Sequence, residues 1–357
     1  MSVGTKEKQC DSLFPGKSSV ALSSPVASLG FYYSSKRSKN SGMIDSNTLA
    51  PGYKEFTNLV TKKVVNPHQS SKYHLTLFQY EPCPFCKKVR SYLDCQGFSY
   101  DIVEVNSVTK KELGWSSYKK VPILLMGDEH QSQQLNDSTM IISLLASFLH
   151  NPEQDIKELL KCYPVMNQTD SKGATKSEIM NKYFVMFGDV PPTDRTSEEI
   201  VAERRWRKWC DDVLVHTLSP NVYRTWEEAV ATFKMFDQNG DWERVFSSFE
   251  RWVVIYLGAA IMLLISKGLK KKHNISEDSR QSLYEAVNTF LGAIAKQGTR
   301  FMGGKNPNLA DLAAYGSLNS IEGTTAFKDL TENTDVLSWY SEVKKVIESR
   351  RGEMVAP

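Results

Sequence analysis

The chain has 357 residues, of which 41% are hydrophobic and 24% charged, a composition that is ordinary for a soluble protein of two globular domains. A formal net charge of +3 is too small to favour a nucleic-acid partner. Six cysteines without regular spacing exclude a secreted disulfide framework and fit a reducing compartment.

Residues 1–72 are predicted to be a disordered or targeting leader, because they are rich in Ser, Lys, Pro and Gly and lack apolar periodicity. Their excess of basic over acidic residues weakly resembles a mitochondrial presequence, but Glu7 and Asp11 argue against one. The most apolar part, residues 20–33, is interrupted by serines and Pro25 and is too short to span a bilayer. We therefore expect no transmembrane helix in the leader.

A pair of thiols follows the first strong strand signal. The stretch from Leu75 to Gly97 joins an apolar run to a helix through the motif Cys83-Pro-Phe-Cys86. Pro84 suits the first helical position, so Cys83 is the predicted N-cap, and its sulfur faces free N–H groups that favour the thiolate. Cys86, one turn later, is placed to attack a mixed disulfide on Cys83.

Two other interpretations of these cysteines are half of a zinc site and a pair of buried small residues. Zinc needs two further ligands, yet the remaining cysteines stand singly and no second CxxC or paired histidine motif occurs. Thiol chemistry or thiol-linked cofactor binding is therefore the favoured interpretation.

Residues 73–150 predict the element order βαβ, ββ, α of a thioredoxin- or glutaredoxin-like domain, with the strand after the thiol helix parallel to the first. Residues 120–126 and 133–135 are expected to form a hairpin, and Asn136-Asp137-Ser138 begins the last helix. We expect the bond between Val121 and Pro122 to be cis.

The remainder of the chain is predicted to be helical. Residues 151–175 are interpreted as a linker and residues 176–350 as an all-α C-terminal domain. Residues 252–265 carry no charge and are interpreted as a helix buried at the centre of that domain rather than as a membrane span. Asn308 and Asp311 have the spacing of a capping box.

This layout is similar to the glutathione transferase superfamily, with an α/β thioredoxin-like domain before an all-α domain. Within it, several strings resemble the microsomal prostaglandin E synthase type 2 family: LTLFQYEPCPFCKKVRSYLD, SSYKKVPILL, QQLNDST, VHTLSPNVYRT, YLGAAIMLLISKGLKKKH and FMGGKNPNLADLAAYG. The resemblance implies a homodimeric, glutathione-binding isomerase that converts the lipid endoperoxide prostaglandin H2 to prostaglandin E2. It also implies haem binding, with the iron held by glutathione and not by a protein side chain.

The resemblance further implies where the protein works and which residues form its thiol site. It indicates a protein that is cytoplasmic or in peripheral contact with a Golgi or other organellar membrane. Cys83 is implied to be the catalytic thiol, Tyr80 its hydrogen-bond partner and Phe85 part of the pocket wall.

The resemblance also implies a glutathione site. Val121, just before Pro122, is implied to pair through its backbone with the cysteinyl part, and Asp137 and Ser138 to hold the γ-glutamyl end. The residue types agree independently, because Asp137 can accept from an ammonium while Ser138 and the helix N-terminus can donate to a carboxylate. Simple helix capping is the alternative role for both residues.

The leading hypothesis is endoperoxide isomerisation. A thiolate, from Cys83 or glutathione, attacks the O–O bond, a base removes the adjacent carbon-bound proton, and Tyr80 supplies or orients a proton. The apolar substrate requires a cleft between the two domains. The alternatives are a glutaredoxin-like oxidoreductase, in which Cys86 resolves the mixed disulfide, and a glutathione-dependent haem or iron–sulfur carrier.

Overall fold

The computed structural model describes residues 48–67, 72–169, 175–188, 192–240, 242–273, 275–276 and 278–357, so the predictions for residues 1–47 lie outside the described residues. In the described chain one sheet contains the strands β1 Leu49–Pro51, β2 Lys62–Val65, β3 His74–Gln79, β4 Tyr100–Glu104, β5 Ile123–Gly127, β6 Gln131–Asn136 and β9 Glu353–Val355. Their order across the sheet is β1-β6-β5-β3-β4-β2-β9.

The centre of this sheet is a thioredoxin-like unit, as predicted. Helix α1, Pro84–Cys95, connects β3 to the parallel strand β4, and helix α2, Ser138–His150, follows the antiparallel hairpin β5–β6. Along β3 the side chains alternate, so that Leu75 and Leu77 pack with the helices while Phe78 faces a smaller core on the other side. The bond between Val121 and Pro122 is cis, as expected.

The prediction that a leader extends to residue 72 is wrong for the described residues 48–67. They form β1, a 3-10 helix at Tyr53–Leu59 and β2, and β9 lies beyond the predicted limit at residue 350. These strands have three or four residues each, too short to show alternation. They extend the sheet outward, β1 by pairing with β6, β2 by pairing with β4, and β9 by pairing with β2.

The C-terminal domain consists of α4 Ser197–Trp209, α5 Val215–Val222, α6 Trp226–Asn239, α7 Trp242–Val245, α8 Ser248–Lys272, α9 Ser279–Gln297, α10 Leu309–Asn319, α11 Thr325–Asn333 and α12 Val336–Glu348. A π-helical turn, Cys210–Leu214, joins α4 to α5. The capping box at Asn308 and Asp311 is confirmed. The linker prediction is wrong in part, because residues 151–175 contain helix α3, Ile156–Lys161, and strand β7, Val165–Thr169. The partner strand of β7 in a hairpin, β8 Thr175–Ile179, extends into the part of the chain that is predicted to be all-α.

The two domains are joined by the packing of α10 against α1. Gly316 permits this approach, because a Cβ atom there would lie 2.6 Å from the Cα of Lys88. The Lys88 side chain is fully buried, and its ammonium contacts Asp211 of the π-helical turn and the hydroxyl of Thr139 on α2. The first helix of the thioredoxin-like domain is thus attached to both of its neighbours.

Helix α8 is not buried on all sides, contrary to the prediction for residues 252–265. It packs against α5 and α6 through Val254, Ala259 and Met262, while an apolar face on its other side is exposed. That face comprises Phe249, Trp252, Leu257 and Leu264, each more than half exposed. Among the described helices, α8 alone is long and apolar enough to cross a membrane, and a third of its most apolar stretch is buried.

Candidate active site

Cys83 lies at the start of α1, in the position that the sequence predicts. It is the N-cap residue, with extended backbone angles, and Pro84 occupies the first turn. Its N–H donates to the carbonyl of Tyr80 at 3.0 Å, and its own carbonyl accepts from Lys87 at 2.9 Å. The side chain is 4% exposed, so the thiol is shielded from bulk solvent but lines a cleft described below.

The surroundings of the two thiols shift their pKa values in opposite directions. Burial opposes ionisation of Cys83, but hydrogen bonds from the Cys86 thiol and from the N–H groups of Cys86 and Phe85, with the charge of Lys88, lower its pKa. Burial and the neighbouring Cys83 raise the pKa of Cys86 well above its usual value. Cys83 is therefore the more acidic thiol of the pair, and the Cys86 thiol is its hydrogen-bond donor.

Tyr80 is close to the thiols, but its hydroxyl does not form the hydrogen bond to Cys83 that the family resemblance implies. Burial and the nearby Cys83 raise the pKa of its hydroxyl, and that hydroxyl has no hydrogen-bond partner among the described residues. The predicted hydrogen bond to the Cys83 thiol is therefore absent, and the bond between the two residues runs through their backbones instead. The Tyr80 side chain lines the same cleft as Cys83, with its hydroxyl uncommitted.

A buried carboxyl group, which the sequence interpretation missed, holds the loop that leads into Cys83. Glu104 accepts from the N–H of Glu81 at 2.6 Å and from the amide of Gln79 at 3.0 Å. Burial and the charge of Glu81 raise the pKa of Glu104 to about 8. Although burial opposes it, Arg90 and Lys87 lower the pKa of Glu81 to about 2, so that the two carboxyl groups differ in charge at neutral pH.

An apolar cleft lies between the two domains, where an apolar substrate is expected to bind. Its wall on the thioredoxin-like side includes Tyr80, Pro82, Cys83 and Glu104. The helical domain contributes a largely aromatic wall of Tyr223, Phe233, Phe236, Trp242, Phe246, Val254 and Met262. Phe85, predicted to be part of the pocket wall, does not line this cleft. Two positions along α1 from Cys83, it faces another direction, and its ring lies 5.7 Å from the Lys88 ammonium.

The predicted glutathione-binding residues lie at the same sheet edge as Cys83. Phe78 near the end of β3 pairs with Ile123 at the start of β5, and Ile123 pairs with Asn136 at the end of β6. The residues that follow β3, precede β5 and follow β6 are therefore neighbours. The β5 ladder begins at Ile123, which leaves the Val121 backbone outside it, and Pro122 carries no N–H. Tyr118, which the sequence interpretation missed, lies among these residues: burial, Asp137 and Cys83 all raise its pKa.

Asp137 caps α2 and has a charged partner. Its Oδ1 accepts from the N–H groups of Thr139 and Met140 at 2.9 and 3.2 Å, and its Oδ2 lies 3.3 Å from the Lys182 ammonium. Ser138 is buried in the first turn of the helix. The site therefore already contains one ammonium, Lys182, which no local sequence pattern indicates because it follows β8 in the chain.

The described residues contain no group of three or more His, Cys, Asp or Glu side chains that could hold a metal ion. The chemistry that the observed arrangement supports is that of an activated thiol beside a neutral carboxylic acid and an uncommitted tyrosine hydroxyl.

A family model for the N-terminal domain of glutathione S-transferases matches residues 77–152. Glutathione transferase F7 from Populus trichocarpa aligns with 77% of this chain and 99% of its own, with 15% sequence identity and a TM-score of 0.42. The thioredoxin-like domain with its thiol at the first helix, followed by an all-α domain, defines a glutathione-transferase-like protein.

Two relatives are more specific. Prostaglandin E synthase 2 of Danio rerio is 47% identical over 277 residues, which cover 76% of this chain and 70% of that protein. Prostaglandin E synthase 2 of Mus musculus is 43% identical over 281 residues, covering 78% and 72%. The chain belongs to the prostaglandin E synthase 2 family, and the expectation of an isomerase-class enzyme is confirmed.

Proposed function

We propose that this protein isomerises prostaglandin H2 to prostaglandin E2, with the Cys83 thiolate as nucleophile. The observation that carries the proposal is a thiol of lowered pKa that lines an apolar cleft between two domains. The name shared by the two relatives supports the substrate class. The aromatic wall of the helical domain suits the hydrocarbon tails of a lipid endoperoxide.

In the proposed reaction the thiolate attacks one oxygen of the endoperoxide and the O–O bond breaks. Removal of the hydrogen on the carbon that bears the attacked oxygen then gives the ketone and returns the thiolate, with no net redox change. The Tyr80 hydroxyl is the assigned donor to substrate, because Tyr80 lines the cleft and its buried hydroxyl has no bond to any other described residue.

The proposal includes glutathione, whose thiol would supply a second nucleophile next to Cys83 when it is bound. The fit rests on groups at this sheet edge, of which Asp137 and Lys182 pair with each other in the structure. The backbone of Val121 lies outside the β5 ladder, and Asp137 and Lys182 offer opposite charges to the γ-glutamyl ammonium and carboxylate. Ser138, the first residue of α2, is the nearest further donor.

Product analysis tests the proposal. Haem-free protein and glutathione are mixed with prostaglandin H2, with the Cys83→Ser variant and a protein-free blank alongside. We expect prostaglandin E2 above the blank from the wild-type protein and none above it from the variant. Equal yields from both proteins would exclude Cys83 as the nucleophile, and no excess over the blank would reject the isomerase proposal.

A second candidate function is glutaredoxin-like thiol–disulfide exchange, which the hydrogen bond between the Cys86 and Cys83 thiols favours. In this reaction Cys83 attacks a glutathione mixed disulfide and Cys86 resolves it. The Cys86→Ser variant separates the two functions, because it would abolish dithiol exchange with a disulfide substrate and spare isomerisation. Loss of both activities in this variant would contradict that separation.

Homodimerisation, haem binding and membrane contact stay predictions of the family resemblance. Light scattering of the purified protein tests the first, and a Soret band that disappears when glutathione is removed tests the second. Flotation with liposomes of organellar lipid composition tests the third, with Trp252→Glu on the exposed face of α8 as the comparison variant.

A further inference from the structure

We propose that Glu104 is the proton-transfer residue of the isomerisation, which donates a proton to the oxygen released from the endoperoxide and then accepts the proton from the carbon that becomes the ketone. This inference rests on the proposed function. It assigns the base, which neither the thiol motif nor the family comparisons identify.

The position of Glu104 is the first argument. It is the last residue of β4, paired in register with Gln79, and it lines the same cleft as Cys83 and Tyr80. Among the described residues that line this cleft, Glu104 is the sole one with a carboxyl side chain, and it also lines a smaller pocket together with Gln79 and Glu81. A proton acceptor for a carbon-bound hydrogen near Cys83 must come from this lining, because the helical wall offers mainly apolar and aromatic side chains.

The orientation of the carboxyl group is the second argument. One oxygen accepts from the Glu81 N–H and the other from the Gln79 amide, which fixes the group on two sides. Each carboxyl oxygen offers two lone-pair directions, so one on each oxygen remains for a proton or for substrate. The bond to Glu81 also connects Glu104 to the loop that leads into Cys83.

The protonation state is the third argument. Burial and the Glu81 charge raise the pKa of Glu104 to about 8, so near pH 7 it is a neutral acid close to a thiol of lowered pKa. A pKa near the working pH suits a group that must both give and take a proton. The charged or titratable groups around Glu104, from every element packed on it, are Glu81, Arg90, Tyr80, Cys83, Cys86, Lys62, Tyr223 and Arg244.

The step balances in atoms and electrons. The Cys83 thiolate forms an S–O bond to one endoperoxide oxygen as the O–O bond breaks, and the released alkoxide takes the proton of Glu104 to become a hydroxyl. The Glu104 carboxylate then removes the hydrogen from the carbon bearing the attacked oxygen. The C–H electron pair forms the C=O bond, and the S–O pair returns to sulfur, regenerating the thiolate and protonated Glu104.

The Glu104→Gln variant tests this assignment, because Gln retains a carbonyl acceptor but cannot exchange a proton. The experiment measures kcat and kcat/KM for prostaglandin E2 formation from pH 6 to 9.5 on a short timescale, with Cys83→Ser and a blank in the same series. The matched control is Glu112→Gln. Glu112 is also buried and accepts from a backbone N–H, that of Asn106 at 2.9 Å, but lies outside the cleft lining.

We expect kcat to fall about 100-fold or more in Glu104→Gln and to stay at the wild-type level in Glu112→Gln. The wild-type kcat/KM should decline above about pH 8, where Glu104 loses its proton, and this decline should be absent in Glu104→Gln. Alkylation of Cys83 by iodoacetamide, which needs the thiolate but no carbon-bound proton transfer, should proceed at the wild-type rate in the variant.

Three results overturn the inference while the proposed function stands: a wild-type kcat in Glu104→Gln, a pH 8 decline that persists in that variant, or an alkylation rate that falls in parallel with kcat. If Glu104→Gln does not fold, a wild-type profile without a decline near pH 8 overturns it. Wild-type protein that yields no prostaglandin E2 above the blank rejects the proposed function and this inference together.

Discussion

Two helices begin at the same edge of the sheet, yet their first turns differ. Helix α2 begins at Asp137, whose carboxylate binds two of the N–H groups in the first turn. Helix α1 begins at Cys83, which provides no oxygen cap, so its first N–H groups face a sulfur atom. At this sheet edge the N–H groups that begin α2 are bound by the Asp137 carboxylate, whereas the N–H groups that begin α1 stabilise a thiolate at Cys83.

This difference shows that one helix of the domain is stabilised at its start while the start of the other is available for thiol chemistry. Both helix starts are tied to the same carboxylate, because Asp211 contacts the Lys88 ammonium of α1 and accepts from the Thr139 hydroxyl of α2 at 2.7 Å. The Asp137 cap stabilises the first turn of α2. The Cys83 cap stabilises the first turn of α1 less, but the N–H groups of that turn stabilise a thiolate. The following predictions test that division.

The largest effect is expected for Lys88→Met. This change removes the fully buried ammonium that pairs with the Asp211 carboxylate, whose side chain is 15% exposed, and should cost about 3–5 kcal/mol of unfolding free energy. Removal of the Lys88 charge should also raise the pKa of the Cys83 thiol. Lys208→Met is the control, since Lys208 pairs with the adjacent Asp212 at the exposed surface and should contribute less than about 1 kcal/mol. Equal losses in urea denaturation of the two variants would contradict the anchoring role of Asp211.

The second prediction concerns the carboxyl group of Glu104, which holds the loop that leads into Cys83. The pKa of Glu104 is raised from 4.5 to about 8 in the folded protein, so between these values the native state holds a proton that the unfolded chain releases. Relative to Glu104→Gln, wild-type stability should therefore fall as pH rises from about 4.5 to 8, by up to about 1.4 kcal/mol per pH unit. Urea denaturation of both proteins across this range measures the difference, and parallel curves would show that Glu104 ionises normally.

The third prediction concerns the cap of α2. Asp137→Ala should cost about 1–2 kcal/mol, because it removes two hydrogen bonds at a residue whose φ of 69° disfavours Ala. Asp137→Asn keeps a capping oxygen, so it should lose less stability than Asp137→Ala. Thermal unfolding compares the two, and an equal loss would show that the ion pair with Lys182 matters more than the cap.

The smallest effect on stability is expected for Cys83→Ser. Serine is a good N-cap residue, so the unfolding free energy should stay unchanged or rise by up to about 1 kcal/mol, while alkylation at this position is lost. Denaturation and iodoacetamide labelling of the same preparation check both parts. A clear loss of stability would mean that the thiol contributes to packing more than the comparison of the two helix starts allows.

The sequence was sufficient for elements whose signals are local. Pro84 after Cys83, the polar residues at Asp137 and the spacing of Asn308 with Asp311 each lie within one turn of the structure they begin. The order of β3, α1, β4, β5, β6 and α2 follows from such signals.

Features that depend on distant partners were not predictable. Lys88 and Asp211 are 123 positions apart, and nothing near either residue indicates a buried pair. Glu104 ends an apolar strand, where a charged residue is normally exposed; its burial and raised pKa depend on the partners that cover it. Likewise, the two faces of α8 differ because α5 and α6 cover one of them.

The pairing of β2 with β9 has a consequence for biosynthesis. Strand β9 follows the helical domain in the chain, yet it covers the outer edge of β2 in the first domain. A ribosome therefore releases β2 long before its outer partner exists, and that edge is open to other strands during the interval. Completion of the sheet thus depends on prior synthesis of the whole helical domain, which couples the two folding units in time as well as in space.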